Sequence, residues 1–183
     1  MIGCKPLTDN EVVAIASKLQ HPRDKCLFIL GLRTGLRISE LLSLRVADVT
    51  NGTSVYIKRR STKGKTSGRS IPLHHDAIAA INAWISLGEL DASSWLFPSH
   101  RTASKPIDRV QAYRILRLGT EQAAVPGKVA THSMRKTFAE RMYTKLDKDL
   151  LKLQKALGHR DINSTIAYLS FNQQDIDDAI LGD

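Results

Sequence analysis

Cysteine is scarce in this chain: there are two, Cys4 and Cys26, in 183 residues. They make no CxxC spacing, which excludes a zinc ribbon and a dithiol redox site. We read them as reduced thiols of a cytosolic protein. Long apolar runs are also missing. No stretch reaches the roughly 20 residues that cross a bilayer, and the opening MIGCKPLTDNE turns polar at once, without the apolar core of a signal peptide. There is no phosphate-binding loop of the Gly-x4-Gly-Lys-Ser/Thr type, so no ATP site of that kind is expected. Aromatics amount to 5%. Acid is short too: 27 Lys and Arg face 18 Asp and Glu, for a formal charge of +9. The last twelve residues, NQQDIDDAILGD, hold four Asp and no base, so the remainder carries +13. A field of that sign and size favours a polyanionic partner.

What is present suits one mainly helical domain. The apolar fraction of 42% is enough for a real core. TDNEVVAIASKL (8–19) opens with Thr8 and Glu11 at capping-box spacing, ahead of an amphipathic helix. DKCLFILGLRTG (24–35) reads as a buried helix stopping at Thr34-Gly35, and RISELLSLRV (37–46) as a third helix. The period then changes. TSVYIKRR (53–60) and GRSIPL (68–73) read as two strands joined by the turn STKGKTS. Helices are expected again at 74–87, at 108 to about 124, and at 131–146, 149–157 and 162–169, with 91–100 a loop holding a short extended piece. A short amphipathic tail helix with Ile176 and Ile180 closes the chain. The fold class is therefore mainly α with a small antiparallel β-sheet, an α+β arrangement. There is no internal repeat and no linker, which suggests a single domain over 1–183, with residues 1–7 and 172–183 as tails.

Several residues could carry chemistry, each weakly when taken alone. Arg37 in TGLRISELLSL stands at a helix mouth, where a cation opposes the dipole unless an anion is bound between them. Lys58, Arg59, Arg60, Lys63, Lys65 and Arg69 crowd the hairpin with no acid among them. They read either as a solvated sheet edge or as a loop that follows DNA. THSMRKTFAERM puts His132 and Arg135 at i, i+3, on one helix face. His74-His75-Asp76 resembles a metal cluster, but adjacent helical residues point apart, so a helix start is preferred and no metal is expected. In ALGHRDINSTIAYL, Gly158 suits a helix exit and His159 begins the next connection. Ile162, Ile166 and Leu169 would form the buried stripe of the following helix. Tyr168, nine residues after His159, falls about 100° off that stripe, as a half-buried phenol.

The order of these signals is more specific than any one of them. An Arg in GLRISELLSLRVADV, a Lys in a β-hairpin, HxxR, and LGH followed nine residues later by Tyr in LGHRDINSTIAYL together resemble the tyrosine recombinase and phage-type integrase family, from about Thr8 to Leu169. The resemblance implies the catalytic-domain fold of that family. It also implies a site-specific recombinase that cleaves and rejoins DNA through a 3′-phosphotyrosyl link, without metal, ATP or other cofactor. By the same resemblance Tyr168 is the nucleophile, Arg37 and Arg135 bind the non-bridging oxygens of the scissile phosphate, and His132 assists proton transfer at Tyr168. His159 hydrogen-bonds the phosphate, and Lys63 protonates the leaving 5′-oxygen, with Lys65 as second choice. Glu40 supports the site. Lys58, Arg59, Arg60, Lys65 and Arg69 are assigned to DNA binding.

The chemistry agrees with those roles. A phenol, with an ordinary pKa near 10, needs cations and a base to attack near neutral pH. Preplaced guanidiniums favour the extra charge of the pentacoordinate transition state over the ground state. Family members often carry an N-terminal core-binding domain that completes a clamp on DNA. This pattern begins within about ten residues of Met1, as in a naturally minimal member or an excised catalytic domain, so that domain is expected to be absent from this chain and DNA binding by it to be weak and salt-sensitive. The expected partners are double-stranded DNA and, on it, three further copies of the chain exchanging C-terminal tails, with a monomer in isolation and no membrane. The tail helix packing back on its own chain is the alternative. The expected location is the cytoplasm, at the nucleoid of a prokaryote or phage host. Two other readings stand beside recombination: a DNA-binding accessory or regulatory protein without catalysis, and a type IB topoisomerase-like relaxing enzyme.

Overall fold

The computed structural model describes residues 3–49, 52–59, 67–100, 102, 104–169 and 180–181. Arg60, Lys63, Lys65 and Ile176 lie outside the described residues, and Arg59 is described in its backbone alone. The chain forms two compact units, residues 2–138 and residues 139–183.

In the first unit, α1 (Asp9–Lys18) starts where the capping box predicts. The Glu11 amide donates to Thr8 Oγ1 at 3.3 Å, and the Thr8 amide donates to Glu11 Oε2 at 3.0 Å. Helix α2 (Pro22–Thr34) begins two residues before the expected Asp24. His21 caps it, its Nδ1 accepting from the Arg23 amide at 3.2 Å, and Pro22 suits the first turn, where its missing N–H costs nothing. Gly35 ends α2 at φ 61°, the left-handed exit that a side chain would strain. Helix α4 (His75–Leu87) and α5 (Arg109–Gln122) follow. Asp108 caps α5 by accepting from the Gln111 amide at 2.7 Å. The core joins Ile15, Phe28, Leu30, Leu41, Val55, Leu96 and Phe97, all buried.

The third helix is shorter than expected. Helix α3 covers Ile38–Leu42 and stops at Ser43, and a 3-10 turn follows at Val46–Asp48. Between them Arg45 bridges Trp95 as in an antiparallel sheet. The Leu96 amide donates to the Leu44 carbonyl at 2.9 Å, and the Val46 amide to the Ser94 carbonyl at 3.0 Å. Leu44 and Val46 are buried on either side of a half-exposed Arg45. That is a period of two, which belongs to extended chain rather than to a continuing helix. Arg45 lies 4.0 Å over the Trp95 ring and donates to the Ser93 carbonyl.

Strands β1 (Ser54–Arg59) and β2 (Ser67–Pro72) pair antiparallel, with Lys58 opposite Gly68 and Ile57 opposite Arg69. Val55 and Ile57 face the core. Alternation therefore sends Lys58 and Arg69 to opposite faces of the sheet. Tyr56 lies across Gly68, where a Cβ would stand 2.0 Å from the phenol oxygen. The expected divergence of His74, His75 and Asp76 is corrected. Their donor atoms lie within 4.8 Å of one another, because His74 is the extended N-cap of α4 and its ring turns back on the helix start. His74 Nδ1 accepts from the Asp76 amide at 3.3 Å, and Asp76 pairs with Arg33. The three form a helix cap held by an ion pair.

Helix α6 (Thr131–Lys145) begins in the first unit and runs into the second. Within residues 139–183, α7 (Leu150–Leu157) is capped by Asp149, which accepts from the amides of Leu151 and Lys152 at 2.9 and 3.0 Å. Gly158 ends it at φ 65°. The last described helix, α8, spans only Asn163–Ile166, against an expected 162–169. Beyond it the chain tightens: the Tyr168 amide donates to Thr165 and the Leu169 amide to Ile166, both at 3.0 Å in i to i−3 bonds. The expected buried stripe is corrected as well. Ile166 is 36% exposed, whereas Thr165, Tyr168 and Leu169 are buried, with Tyr168 only 4% exposed.

Candidate functional site

The first unit gathers two arginines and a histidine around one turn. Leaving α2 through Gly35, the chain places Arg37 as the N-cap of α3. Glu40 answers it twice: Oε2 accepts from the Arg37 amide at 2.7 Å, and Oε1 lies 3.5 Å from Arg37 Nη1. This offsets the unfavourable meeting of guanidinium and helix start that the sequence suggests. It leaves Arg37 partly exposed, its side chain 41% accessible. Arg135 comes from α6 and is 1% exposed, and its Nη1 donates to the Gly35 carbonyl. The two arginines are thus tied to a single tight turn, Arg135 by a hydrogen bond and Arg37 by the chain itself. That turn needs glycine twice over. Its φ is left-handed, and a Cβ at Gly35 would stand 2.2 Å from Phe138 Cδ1.

His132 lies one turn before Arg135 on α6 and is partly buried. Burial holds its pKa below the ordinary 6.5, and the charges of Arg135, Arg37 and Arg109 push the same way. An imidazole so placed is neutral at physiological pH and can accept a proton. Arg109, the first residue of α5, is a cation that the sequence reading did not single out; only its place beside a helix cap marked it.

The hairpin is less uniform than its sequence. Lys58 is exposed and pairs with Asp48 at 3.2 Å, so part of its charge is already answered. Arg69 is half-buried on the other face.

The second unit brings His159 and Tyr168 together. Their rings stack at 29° with centroids 5.5 Å apart. The backbone of His159 is anchored to α7 by its amide, which donates to the Gln154 carbonyl at 3.1 Å. Its Nδ1 is 2.9 Å from Oγ1 of Thr165, a fully buried residue. Thr165 was missed in the sequence. The signal available was its i, i+3 spacing from Tyr168, which puts both on one face. Cys26, by contrast, is inert: burial pushes its thiol up to about 12.

A family profile described as Phage integrase family matches residues 5–175. The chain is 36% identical over 156 residues to "Probable integrase/recombinase YoeC" of Bacillus subtilis, covering 84% of this chain and 81% of that protein. It is 30% identical over 177 residues to "Tyrosine recombinase XerA" of Pyrococcus horikoshii, covering 96% of this chain and 60% of the relative. Among solved structures it superposes on XerH site-specific recombinase bound to difH substrate, a pre-cleavage complex, with a TM-score of 0.73 at 23% identity. That match covers 96% of this chain and 53% of that one.

Proposed function

The chain belongs to the phage integrase family of tyrosine recombinases, and from that premise we propose that Tyr168 attacks a DNA phosphodiester and becomes joined to the 3′-phosphate. The 5′-oxygen departs with a proton from Lys63. A 5′-hydroxyl from the partner strand then attacks the phosphotyrosine, returning its proton to Lys63 while His132 reprotonates the departing Tyr168 phenolate, which restores the diester. Bond number and phosphate charge are the same before and after, so no energy source enters. Arg37 and Arg135 hold the non-bridging oxygens, where charge grows in the transition state. His132 takes the phenolic proton, and His159 donates to the phosphate.

The observation that carries this reading is the turn at Gly35. It ties Arg135, one helical turn from a histidine kept neutral, to the segment that bears Arg37. Chemistry of this kind gains most from groups placed before the substrate arrives. The stack of His159 on Tyr168 supports the pairing of nucleophile and phosphate ligand.

At the level of assembly, we assign residues 1–183 to one catalytic domain that acts on double-stranded DNA. XerH is described in complex with its DNA substrate, and the +13 carried ahead of the acidic tail suits the same partner. Four copies would meet on DNA and exchange their C-terminal tails. Ile180 and Leu181, 76% and 82% exposed, supply an apolar surface for that contact. The chain spans 60% of the length of XerA and 81% of that of YoeC. No helix among the described residues is long and apolar enough to cross a membrane.

A nicked suicide substrate tests the core of the reading. The wild-type chain should form an SDS-resistant adduct with DNA, and Tyr168→Phe should form none. An adduct that persists in Tyr168→Phe would overturn the nucleophile. Separate Lys63→Ala and Lys65→Ala variants assign the acid, since a 5′-thio leaving group needs no proton and should restore only the variant that lacks it.

A further inference from the structure

We propose that Thr165 is a positioning residue for this reaction: its hydroxyl, bonded to Nδ1 of His159, selects the imidazole form that carries its proton on Nε2. The inference rests on the reading of His159 as a phosphate ligand and goes one step behind it.

The geometry is specific. Oγ1 of Thr165 stands 2.9 Å from Nδ1, and the threonine is fully buried. Its own backbone is fixed, because its amide donates to the Ile162 carbonyl at 2.8 Å. A β-branched side chain has few rotamers open to it, so the hydroxyl is a stiff partner. On its other side the imidazole is held by the Tyr168 ring, and its backbone is fastened to the end of α7. Thr165 and Tyr168 lie one turn apart on the same face. A single turn therefore grips the imidazole with both a hydroxyl and a phenol ring.

A neutral imidazole has one N–H donor and one acceptor nitrogen, and the bond made at one nitrogen decides what the other can do. A phosphate oxygen can only accept. If Nε2 is to donate to it, Nδ1 must be the acceptor, and the threonine hydroxyl must donate. The opposite arrangement, with Nδ1–H donating to Oγ1, would leave a lone pair on Nε2 facing the phosphate and repel it. The hydroxyl can play either part, so the tautomer is the quantity to measure. The other titratable groups of the 158–169 segment are Tyr168, stacked on the ring, and Arg160 and Asp161, both exposed, with Asp161 engaged by Asn163 and the Ser164 amide.

The test combines spectroscopy with kinetics on the full chain. In 15N spectra, with the His159 signals identified by their loss in His159→Gln, wild-type Nδ1 should appear as an unprotonated nitrogen and Nε2 as protonated. Thr165→Val, which keeps the shape and removes the hydroxyl, should mix the two forms. On the suicide substrate Thr165→Val should cleave about tenfold more slowly at mildly alkaline pH, the worth of one net hydrogen bond. The deficit should shrink on acidification, where the imidazolium donates from both nitrogens. Thr165→Ser keeps the hydroxyl, loses the methyl, and should cleave at close to the wild-type rate. A packing role alone predicts the reverse order, with Thr165→Ser the worse variant and no dependence on pH. That order, wild-type cleavage by Thr165→Val, or an Nδ1–H form in the wild type would overturn the proposal. Loss of the function reading would show separately, as an adduct formed by Tyr168→Phe.

Discussion

Replacing Arg135 with lysine keeps a positive charge but removes the fork that bonds the Gly35 carbonyl and, by our proposal, the phosphate. We expect Arg135→Lys to slow cleavage of the suicide substrate by about 10²–10³, the usual cost of one transition-state donor. DNA affinity, measured by fluorescence anisotropy, should change far less. His132 gives a second residue-scale expectation. Its pKa is held below 6.5 by burial and by Arg135, Arg37 and Arg109, so the neutral base is the main form at pH 7. Cleavage should stay level through neutral pH and fall only on acidification below about 6.5, as His132 takes up its proton. Arg109→Ala removes one of the lowering charges and should move this acid limb upward. A limb that moves downward, or none, would contradict the assignment. At this scale the sequence was informative where a residue type is rare or its spacing unusual. HxxR and LGH with a tyrosine nine residues on were both visible. Thr165 was not, since a threonine in a short helix has many uses and only its hydrogen bond to His159 separates them. The partnership of Arg135 with Gly35 was hidden for a related reason: its acceptor is a backbone carbonyl, which no side-chain pattern records.

Among the elements, the exit of α2 should be the least tolerant of change. Gly35→Ala would place a Cβ against Phe138 at a left-handed φ. We expect a loss of about 1–3 kcal/mol in urea unfolding. Cleavage should suffer beyond what stability explains, because the displaced turn carries Arg37 and the carbonyl that holds Arg135. Phe138→Leu in the same chain should relieve the contact while leaving the backbone strain, so a partial rescue is expected. Element ends marked by side-chain caps were legible: Thr8 with Glu11, Asp108, Asp149, and the glycines at 35 and 158 all sit where their chemistry predicts. Two ends were not. The 37–46 segment is apolar enough for either period, and what stops α3 is the backbone of residues 94–96, some fifty positions away. Beyond Ala167 the chain winds tighter than an α-helix, which turns Tyr168 inward relative to an ideal 100° step.

For the molecule as a whole, the recombinase assignment was readable in the order of weak motifs along nearly the entire chain. The boundary between the two compact units, at residue 138 within α6, was not, because no glycine or proline marks it. Charge is the property that acts at this scale. If the basic surface binds DNA through phosphates, log affinity should fall linearly with log salt, with a slope of about −0.9 per phosphate contacted. Lys58→Ala should change that slope little, since Asp48 already answers its charge, and the variant Asp48→Asn should strengthen binding by freeing it. Equal effects of Lys58→Ala and Arg69→Ala would mean that DNA meets both faces of the sheet, since alternation sends these two side chains to opposite faces.

The nine-residue interval between His159 and Tyr168 also sets a limit on how this segment can vary. Eight residues lie between the stacked rings, and several are exposed and free to change in kind. Their number is not free. One added alanine between Asn163 and Thr165 would rotate everything after it by about 100° and carry the phenol away from the imidazole. Substitutions at the exposed positions of this stretch should therefore be widely accepted, while changes that remove the Thr165 hydroxyl and single insertions and deletions should be rejected, and a library of each, scored for adduct formation, would separate the two. Here length is constrained throughout, while composition is constrained at Thr165 and variable at the exposed positions.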